Sequence, residues 1–305
     1  MADVCAHAYF DTTVVPIGDA RLPLTSSAVL YGLSVYTVFP VLVTEGKRVA
    51  FRLEDHFSRL LSSARIIGID TFEPAWTIER FMAAVVDTVE ANGIERDTFM
   101  RATVHVVEDV PGTRSRGLRT MLSIFGYRAE PIVPQNGARL KTSVWRRVPD
   151  YAIPSRAKVN GAYVNSVLGK QDAIDSGYDD CIFLDAGGHV CELSAANIFM
   201  VRDGVLITPD HTSDILEGIN RRTVLTFAQD MGIPVRERSI DLTELYVADE
   251  VFACGTSAFV APVVEVDARR IGGGVPGTIT TRIRARYDSV LRGLVPEYTR
   301  WTTQV

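Results

Sequence analysis

An α+β fold in two units is what this sequence predicts, and three observations carry that expectation. Short apolar runs with strand character alternate with stretches whose apolar residues recur every three or four positions. Turn-forming pairs such as Glu45-Gly46 and Asp203-Gly204 separate several of the strand runs. A polar stretch containing prolines, "RAEPIVPQNG", divides a shorter first part from a longer second part. The expected organisation is a small N-terminal α/β domain over 1–127, a linker over 128–137 and a larger C-terminal mixed domain over 138–305. A chain of 305 residues is long enough for two such cores.

In chain order, "VYTVFPVLVTEGKRVAF" reads as a hairpin turning at Glu45-Gly46. Leu53, Phe57, Leu60, Leu61, Ala64 and Ile67 then share one face of a helix starting near Arg52. "WTIERFMAAVVDTVEANG" predicts a second helix, stopped by Asn92-Gly93. "TFMRATVHVVE" and "RTMLSIFGY" read as strands. In the second part, "YVNSVLGKQDAIDSG" is helical, and "CIFLD" turns at Gly187-Gly188 into "HVCEL". "NIFMV" turns at Asp203-Gly204 into "VLITP". A helix from about Gly218 to Met231 is ended by Gly232, "EVFACGTSAFVAPVVEV" is strand-like, and "GTITTRIRARYDSVLRG" is a closing helix. The glycines of "IGGGVPG" lack the spacing of a phosphate fingerprint and read as a turn, which argues against a dinucleotide-binding fold.

Composition narrows the function classes. The chain is 47% hydrophobic and 23% charged, with a net charge of −5 that offers no basic field to nucleic acid. The opening "MADVCAHAYFDTTVVPIGDARLPL" lacks the basic and apolar regions of a signal peptide. No apolar run approaches the roughly 18 residues of a membrane span. Cys5, Cys181, Cys191 and Cys254 lack zinc-site spacing, so no metal is expected and the thiols suit a reducing cytoplasm. A soluble, cytoplasmic protein is the expectation.

Of the 32 basic residues only Lys47, Lys141, Lys158 and Lys170 are lysine. Two of them lie in "RAKVNGAYVNSVLGKQDA", where Lys170 reads as a solvated helix-surface residue. Glu192 interrupts an apolar strand end. Glu217-Gly218 precedes a helix and places the N–H groups of Ile219 and Asn220 at its positive end, a geometry suited to phosphate. Gly255 allows close backbone approach and Thr256 adds a hydroxyl. Arg52 at a helix start opposes the dipole unless an anion is near. Taken singly, each also fits a plainer role: a loop lysine, a surface glutamate, a glycine helix start, a turn.

Their joint order is more specific. Lys158, Tyr163, Glu192, Gly218-Ile219-Asn220 and Gly255-Thr256, preceded by "FRLEDH", closely resemble the class IV aminotransferases from about Tyr31 to the end of the chain. This family has the two-domain fold type IV, D-amino acid aminotransferase-like, and uses pyridoxal 5'-phosphate, as in branched-chain and D-amino acid aminotransferases. The resemblance implies that Lys158 forms the Schiff base and shuttles the proton at substrate Cα, work an amine can do and a guanidinium cannot. It implies that Glu192 faces the pyridine nitrogen, that Tyr163 meets the phenolic oxygen and that Asn197 supports them. Arg52, Gly218, Ile219, Asn220, Gly255 and Thr256 would hold the phosphate. Tyr31, Tyr36, Val38, Phe99, Arg101 and Tyr127, with Ser257 and Ala258, would line the substrate pocket. The cofactor would cycle through pyridoxamine 5'-phosphate between an amino donor and a 2-oxo acid. The family's usual homodimer, with a partner loop completing the pocket, is also implied.

Substrate recognition departs from the family pattern. Branched-chain enzymes carry Phe-Glu-Gly where this chain has Tyr36, Thr37 and Val38. The change to Thr37 is read as removing a carboxylate that pairs with Arg101 in those enzymes. Phe99 stands for a tyrosine, while Ala196 and Phe259 stand for glutamates. These changes argue against a standard branched-chain enzyme; Tyr36 and Val38 bring the region closer to D-amino acid or (R)-amine aminotransferases, which often have a Tyr-acid-Val run, while Thr37 fits neither pattern. The plainer role for Arg101 is an ion pair with Glu108 or Asp109. An aminodeoxychorismate lyase, which releases pyruvate from the same cofactor site, is the alternative reaction. A non-catalytic cofactor-binding protein is the third reading, disfavoured by the intact lysine, glutamate and phosphate set.

Overall fold

The computed structural model describes residues 3–110 and 112–305; Met1 and Ala2, which begin the stretch read for a leader, lie outside them. The chain forms two units, and a single cut does not separate them. The first unit runs to Glu130 and takes in Ala157–Gly161 and Val290–Val305; the second holds Pro131–Arg156 and Ala162–Ser289. The two later returns to the first unit have a structural origin. They arise from pairing that no local signal announces: Val159 bridges Val35, and the last strand joins the first unit's sheet.

In the first unit, β1 (Asp3–Phe10), β2 (Thr13–Pro16), β3 (Ser34–Thr44), β4 (Lys47–Phe51), β5 (Thr98–Val106) and β6 (Thr120–Arg128) form an antiparallel sheet. The β3–β4 turn has φ of 51° at Glu45 and 76° at Gly46, the left-handed pair that the hairpin twist requires. Helix α1 (Ser27–Leu30) is a single turn; α2 (Leu53–Ile66) and α3 (Ile78–Ala91) pack against the sheet. Their inward residues are those of the helical period, and Phe57 stacks on Phe81 at 4.9 Å. Thr77 caps α3 by accepting from the Arg80 N–H, and Asn92-Gly93 ends it as expected. Each fully buried Phe or Leu here contributes about 1.5–3 kcal/mol.

The second unit begins with β7 (Ala138–Arg146), followed by α4 (Tyr163–Asp175). Next come β8 (Asp180–Leu184), β9 (Val190–Leu193), β10 (Asn197–Arg202) and β11 (Val205–Thr208), then α5 (Ile219–Asp230) and β12 (Val235–Glu237). After α6 (Leu242–Tyr246) stand β13 (Glu250–Gly255), β14 (Phe259–Val266), β15 (Arg269–Arg270) and α7 (Thr278–Leu291). The run "EVFACGTSAFVAPVVEV" is thus two strands, broken at Thr256–Ala258, with Phe259 at φ 53° closing the turn. Strands β10, β13, β14, β7, β8 and β9 follow one another, and β9 pairs back to β10, so this part of the sheet closes on itself. Closure removes the open edges and encloses a core that includes Leu140, Ile182, Met200, Ala253 and Val263. Strand β16 (Thr302–Gln304), unannounced in the sequence, pairs with β4 in the first unit's sheet. Among the described residues no helix is long and apolar enough to cross a membrane.

Candidate active site

Each unit holds its own part of the expected set. In the first, alternation along β3 puts Tyr36 and Val38 on one face and Thr37 on the other. Register places Val38 opposite Arg101, and Pro40 opposite Phe99, which in turn faces Tyr127 on β6. Tyr36, Val38, Phe99, Arg101 and Tyr127 therefore share a face, and the Phe99 and Tyr127 rings lie 5.8 Å apart. The Arg101 guanidinium lies 3.6 Å from the Tyr36 ring centroid, and the Lys158 Nζ is 4.9 Å from the same ring. Tyr31 ends α1 with its side chain exposed.

The Lys158 segment is fastened to β3 by main-chain bonds. The Tyr36 N–H donates to the Lys158 carbonyl at 3.0 Å, and the Asn160 N–H donates to that of Ser34 at 2.9 Å. Gly32 and Gly161 meet so closely that a Cβ on Gly32 would stand 3.0 Å from the Gly161 Cα. The Lys158 N–H donates to Ser63 Oγ on α2 at 3.1 Å.

Thr37 turns toward that helix. It is fully buried; its Oγ1 accepts from Arg59 Nη2 at 3.1 Å and lies 2.7 Å from His56 Nδ1. A guanidinium can only donate, so the Thr37 hydroxyl hydrogen is assigned to His56. The expectation that Thr37 marks a lost partner of Arg101 is corrected: the two side chains lie on opposite faces of the sheet. Glu108 and Asp109 do not pair with Arg101 either. Glu108 accepts from the Arg119 N–H and Asp109 from the Thr25 hydroxyl, while Arg101 Nη2 donates to Asn160 Oδ1 at 2.6 Å. Burial and the Arg101 charge push the nearby His105 imidazole down to about 4, leaving it neutral at physiological pH.

Arg52 is engaged away from the Lys158 segment. It sits left-handed (φ 53°) at the start of α2, pairs with Asp55 at 2.6 Å and stacks on Trp301 at 4.5 Å. Arg59, two turns further along α2, is one turn before Ser63, which holds the Lys158 backbone. The helical period left both arginines on one face, and only the partners of each separate them.

In the second unit, Glu192 and Asn197 face each other where β9 meets β10. Asn197 Nδ2 donates to Glu192 Oε2 at 3.0 Å, the Leu216 N–H to the same oxygen at 3.2 Å, and Arg147 pairs with Oε1 at 2.8 Å. Glu192 is 5% exposed, so this carboxylate is buried against three donors, one cationic. Asn197 Nδ2 also donates to the Leu216 carbonyl at 2.9 Å, and a Cβ on Gly218 would stand 2.0 Å from Asn197 Oδ1. Space for a neighbour, not backbone freedom, requires this glycine, since its φ is −64°. Ile219 and Asn220 open α5 directly after it. Gly255 packs on the Ala195–Ala196 turn, where its Cβ would be 3.3 Å from the Ala195 carbonyl oxygen. Ser257 and Ala258 lie in the adjoining hairpin turn, their carbonyls fixed by the Ile132 N–H and by Gln135. Glu192, Asn197, Gly218–Asn220 and Gly255–Ala258 are thus brought together within the unit. Tyr163 opens α4.

Lys170 is not a plain solvated residue. Its ammonium pairs with the fully buried Asp180 at 3.0 Å and donates to the Ile132 carbonyl at 3.2 Å. The sequence reading missed Arg59, Arg147 and Asn160. Helical spacing from Arg52 could have raised Arg59; the contacts of the other two are non-local and leave no pattern. No group of three or more His, Cys, Asp or Glu side chains among the described residues could hold a metal.

The family model for amino-transferase class IV matches residues 35–266. A probable branched-chain-amino-acid aminotransferase of Aquifex aeolicus is 35% identical, covering 98% of this chain and 96% of its own. The solved branched-chain aminotransferase of Thermoproteus uzoniensis, with norvaline, superposes with a TM-score of 0.94 at 37% identity, over 98% of this chain and 99% of its own. The solved branched-chain enzyme of Thermobaculum terrenum, in its PLP-form, gives 0.91 at 31% identity, over 99% of each chain.

Proposed function

Because this chain belongs to the class IV aminotransferases, we propose that it moves an amino group from an aliphatic amino acid to a 2-oxo acid bearing a second carboxylate. The enzyme is a pyridoxal-phosphate-dependent transaminase whose cofactor cycles through the pyridoxamine form. The residues suit that cofactor: a buried carboxylate held by donors for the pyridine nitrogen, a helix start at Gly218 that lets Asn197 close on it, and a lysine on a fixed segment. When bound, pyridoxal phosphate supplies an electron sink for the bond broken at substrate Cα.

In this reading Lys158 would hold the cofactor at its aldehyde and would carry the proton at substrate Cα. Glu192, aimed by Arg147 and Asn197, would keep the proton on the pyridine nitrogen. Tyr163 would donate to the phenolic oxygen. The Ile219 and Asn220 N–H groups, Gly255, Thr256 and Arg59 hold the phosphate, with Arg59 taking the place expected of Arg52. Tyr36, Val38 and Phe99 receive the aliphatic side chain beside Tyr31 and Tyr127, Arg101 receives a carboxylate, and the family resemblance assigns Ser257 and Ala258 to the substrate as well. The observation carrying the substrate reading is the Arg101 guanidinium laid on Tyr36, the ring that the Lys158 ammonium also approaches. With Thr37 on the helix side, the sequence argument against a branched-chain-like donor loses its main support. Lysis is not favoured, because the full-length relatives are aminotransferases.

A homodimer in the cytoplasm completes the reading. Exposed apolar side chains gather at Leu24, Val29, Leu30 and Val110 in one unit and at Val144, Trp145, Val164 and Val167 in the other, and the four cysteines are free. Light scattering at micromolar concentration tests the dimer; a monomer would refute it. Single-turnover spectra with L- and D-amino acids and amines test the reaction. Aliphatic amino acids should convert the cofactor to a stable pyridoxamine form that a dicarboxylic 2-oxo acid reverses. Return of the aldehyde form with pyruvate release would mean lysis.

A further inference from the structure

Asn160 lies two residues beyond Lys158, and each end of its carboxamide is committed. Nδ2 donates to Ser34 Oγ at 2.6 Å, and Oδ1 accepts from Arg101 Nη2 at 2.6 Å. The assignment of the two ends follows from chemistry, because a guanidinium has no acceptor. The main chain of Asn160 is tied to the Ser34 carbonyl as well, so the side chain starts from a fixed point. Arg101 is therefore held over the Tyr36 ring and gripped at one Nη by a neutral oxygen. Among the described residues no carboxylate stands within ion-pair distance of it, since Glu108 and Asp109 are committed elsewhere. His105, on the same face of β5, is neutral at physiological pH. A half-buried cation held only by neutral groups keeps both its charge and its remaining donors for an incoming anion.

We propose that Asn160 is a specificity-determining positioning residue: its amide, standing where a carboxylate would cancel the charge, presents Arg101 to the second carboxylate of a dicarboxylic 2-oxo acid. The inference rests on the reading of Arg101 given above. It also couples substrate recognition to the Lys158 segment, since one five-residue stretch carries both the reactive amine and the group that aims the receptor.

The test compares wild type, Asn160→Asp, Asn160→Ala and Arg101→Ala, using 2-oxoglutarate and 4-methyl-2-oxopentanoate as acceptors. Asn160→Asp, almost isosteric, should raise KM for 2-oxoglutarate tenfold or more, keep kcat within about threefold and leave KM for the monocarboxylic acceptor within about twofold. Asn160→Ala should raise KM for 2-oxoglutarate severalfold with the same selectivity. It decides the question if Asn160→Asp does not fold. Equal changes for both acceptors, or none, in the Asn160 variants would overturn the proposal. If Arg101→Ala is itself unselective, the Arg101 reading fails; if it is selective while the Asn160 variants are not, only the role of Asn160 fails.

Discussion

Gly218→Ala should disable the cofactor site by pushing on a neighbour, without straining its own backbone. Gly218 has φ −64° and ψ 136°, values open to alanine. The added methyl would stand 2.0 Å from Asn197 Oδ1, well inside contact distance, so Asn197 or the 216–218 loop must move. Either displacement breaks the Asn197 Nδ2 bonds to Glu192 and to the Leu216 carbonyl. The first, to a charged acceptor, contributes about 1.5–3 kcal/mol and the second about 0.5–1.5 kcal/mol. Replacing glycine at a helix N-cap adds less than about 1 kcal/mol. The expected loss is therefore about 2–4 kcal/mol, a Tm drop of about 5–15 °C for a domain of this size. Cofactor affinity should fall with it, because Glu192 loses one of the donors that aim it. Thermal melts of the apoenzyme and equilibrium dialysis of pyridoxal phosphate measure the two effects. The decisive control is the double variant with Asn197→Ala. With the amide gone, Gly218→Ala should cost under about 1 kcal/mol. A penalty of the same size in both backgrounds, or none in the wild-type one, would refute the steric argument.

Lys158→Ala should abolish turnover, and borohydride reduction of the wild type with peptide mapping should label Lys158; a label on Lys170 would sink the assignment. Lys170→Met should leave turnover per folded molecule unchanged yet cost about 2–3 kcal/mol in denaturant melts, because Asp180 stays buried without its cation. Arg59→Ala should weaken pyridoxal phosphate binding about tenfold or more, whereas Arg52→Ala should change stability and spare the cofactor; equilibrium dialysis showing the reverse would return the phosphate to Arg52. His105 supplies a pH test. Its folded value is depressed from 6.5 to about 4 by burial and by Arg101, so only the unfolded chain takes up the proton between those values. Stability is fully present above pH 6.5 and falls as pH drops toward 4, by about 3 kcal/mol at most. His105→Gln should flatten that part of the Tm–pH curve, and an unchanged slope would count against the depressed value.

What the sequence by itself determined is what neighbours along the chain decide. Glu45-Gly46 and Asp203-Gly204 turn hairpins because both residues of each pair take positive φ. The faces of α2 and α3 follow from helical period, and Asn92-Gly93 stops α3. Lys158, Glu192 and the Gly218 helix start were legible as an ordered set because their spacing resembles a family pattern. The run at 250–266 is mostly apolar on either side of Thr256–Ala258, and the turn there, the plainer role open to Gly255-Thr256, carries none of the usual turn pairs that would have fixed it. Tertiary structure alone decided which partner each charge found. Arg52 and Arg59 share a helical face, and the choice between them depends on Trp301 and on the Lys158 segment, far away in sequence. The face Thr37 presents depends on which side of the sheet α2 covers. Arg147 reaches Glu192, and Asn160 reaches Arg101, only after strands distant in sequence have paired. Local periodicity fixes which residues share a face; only the packed chain fixes what that face meets.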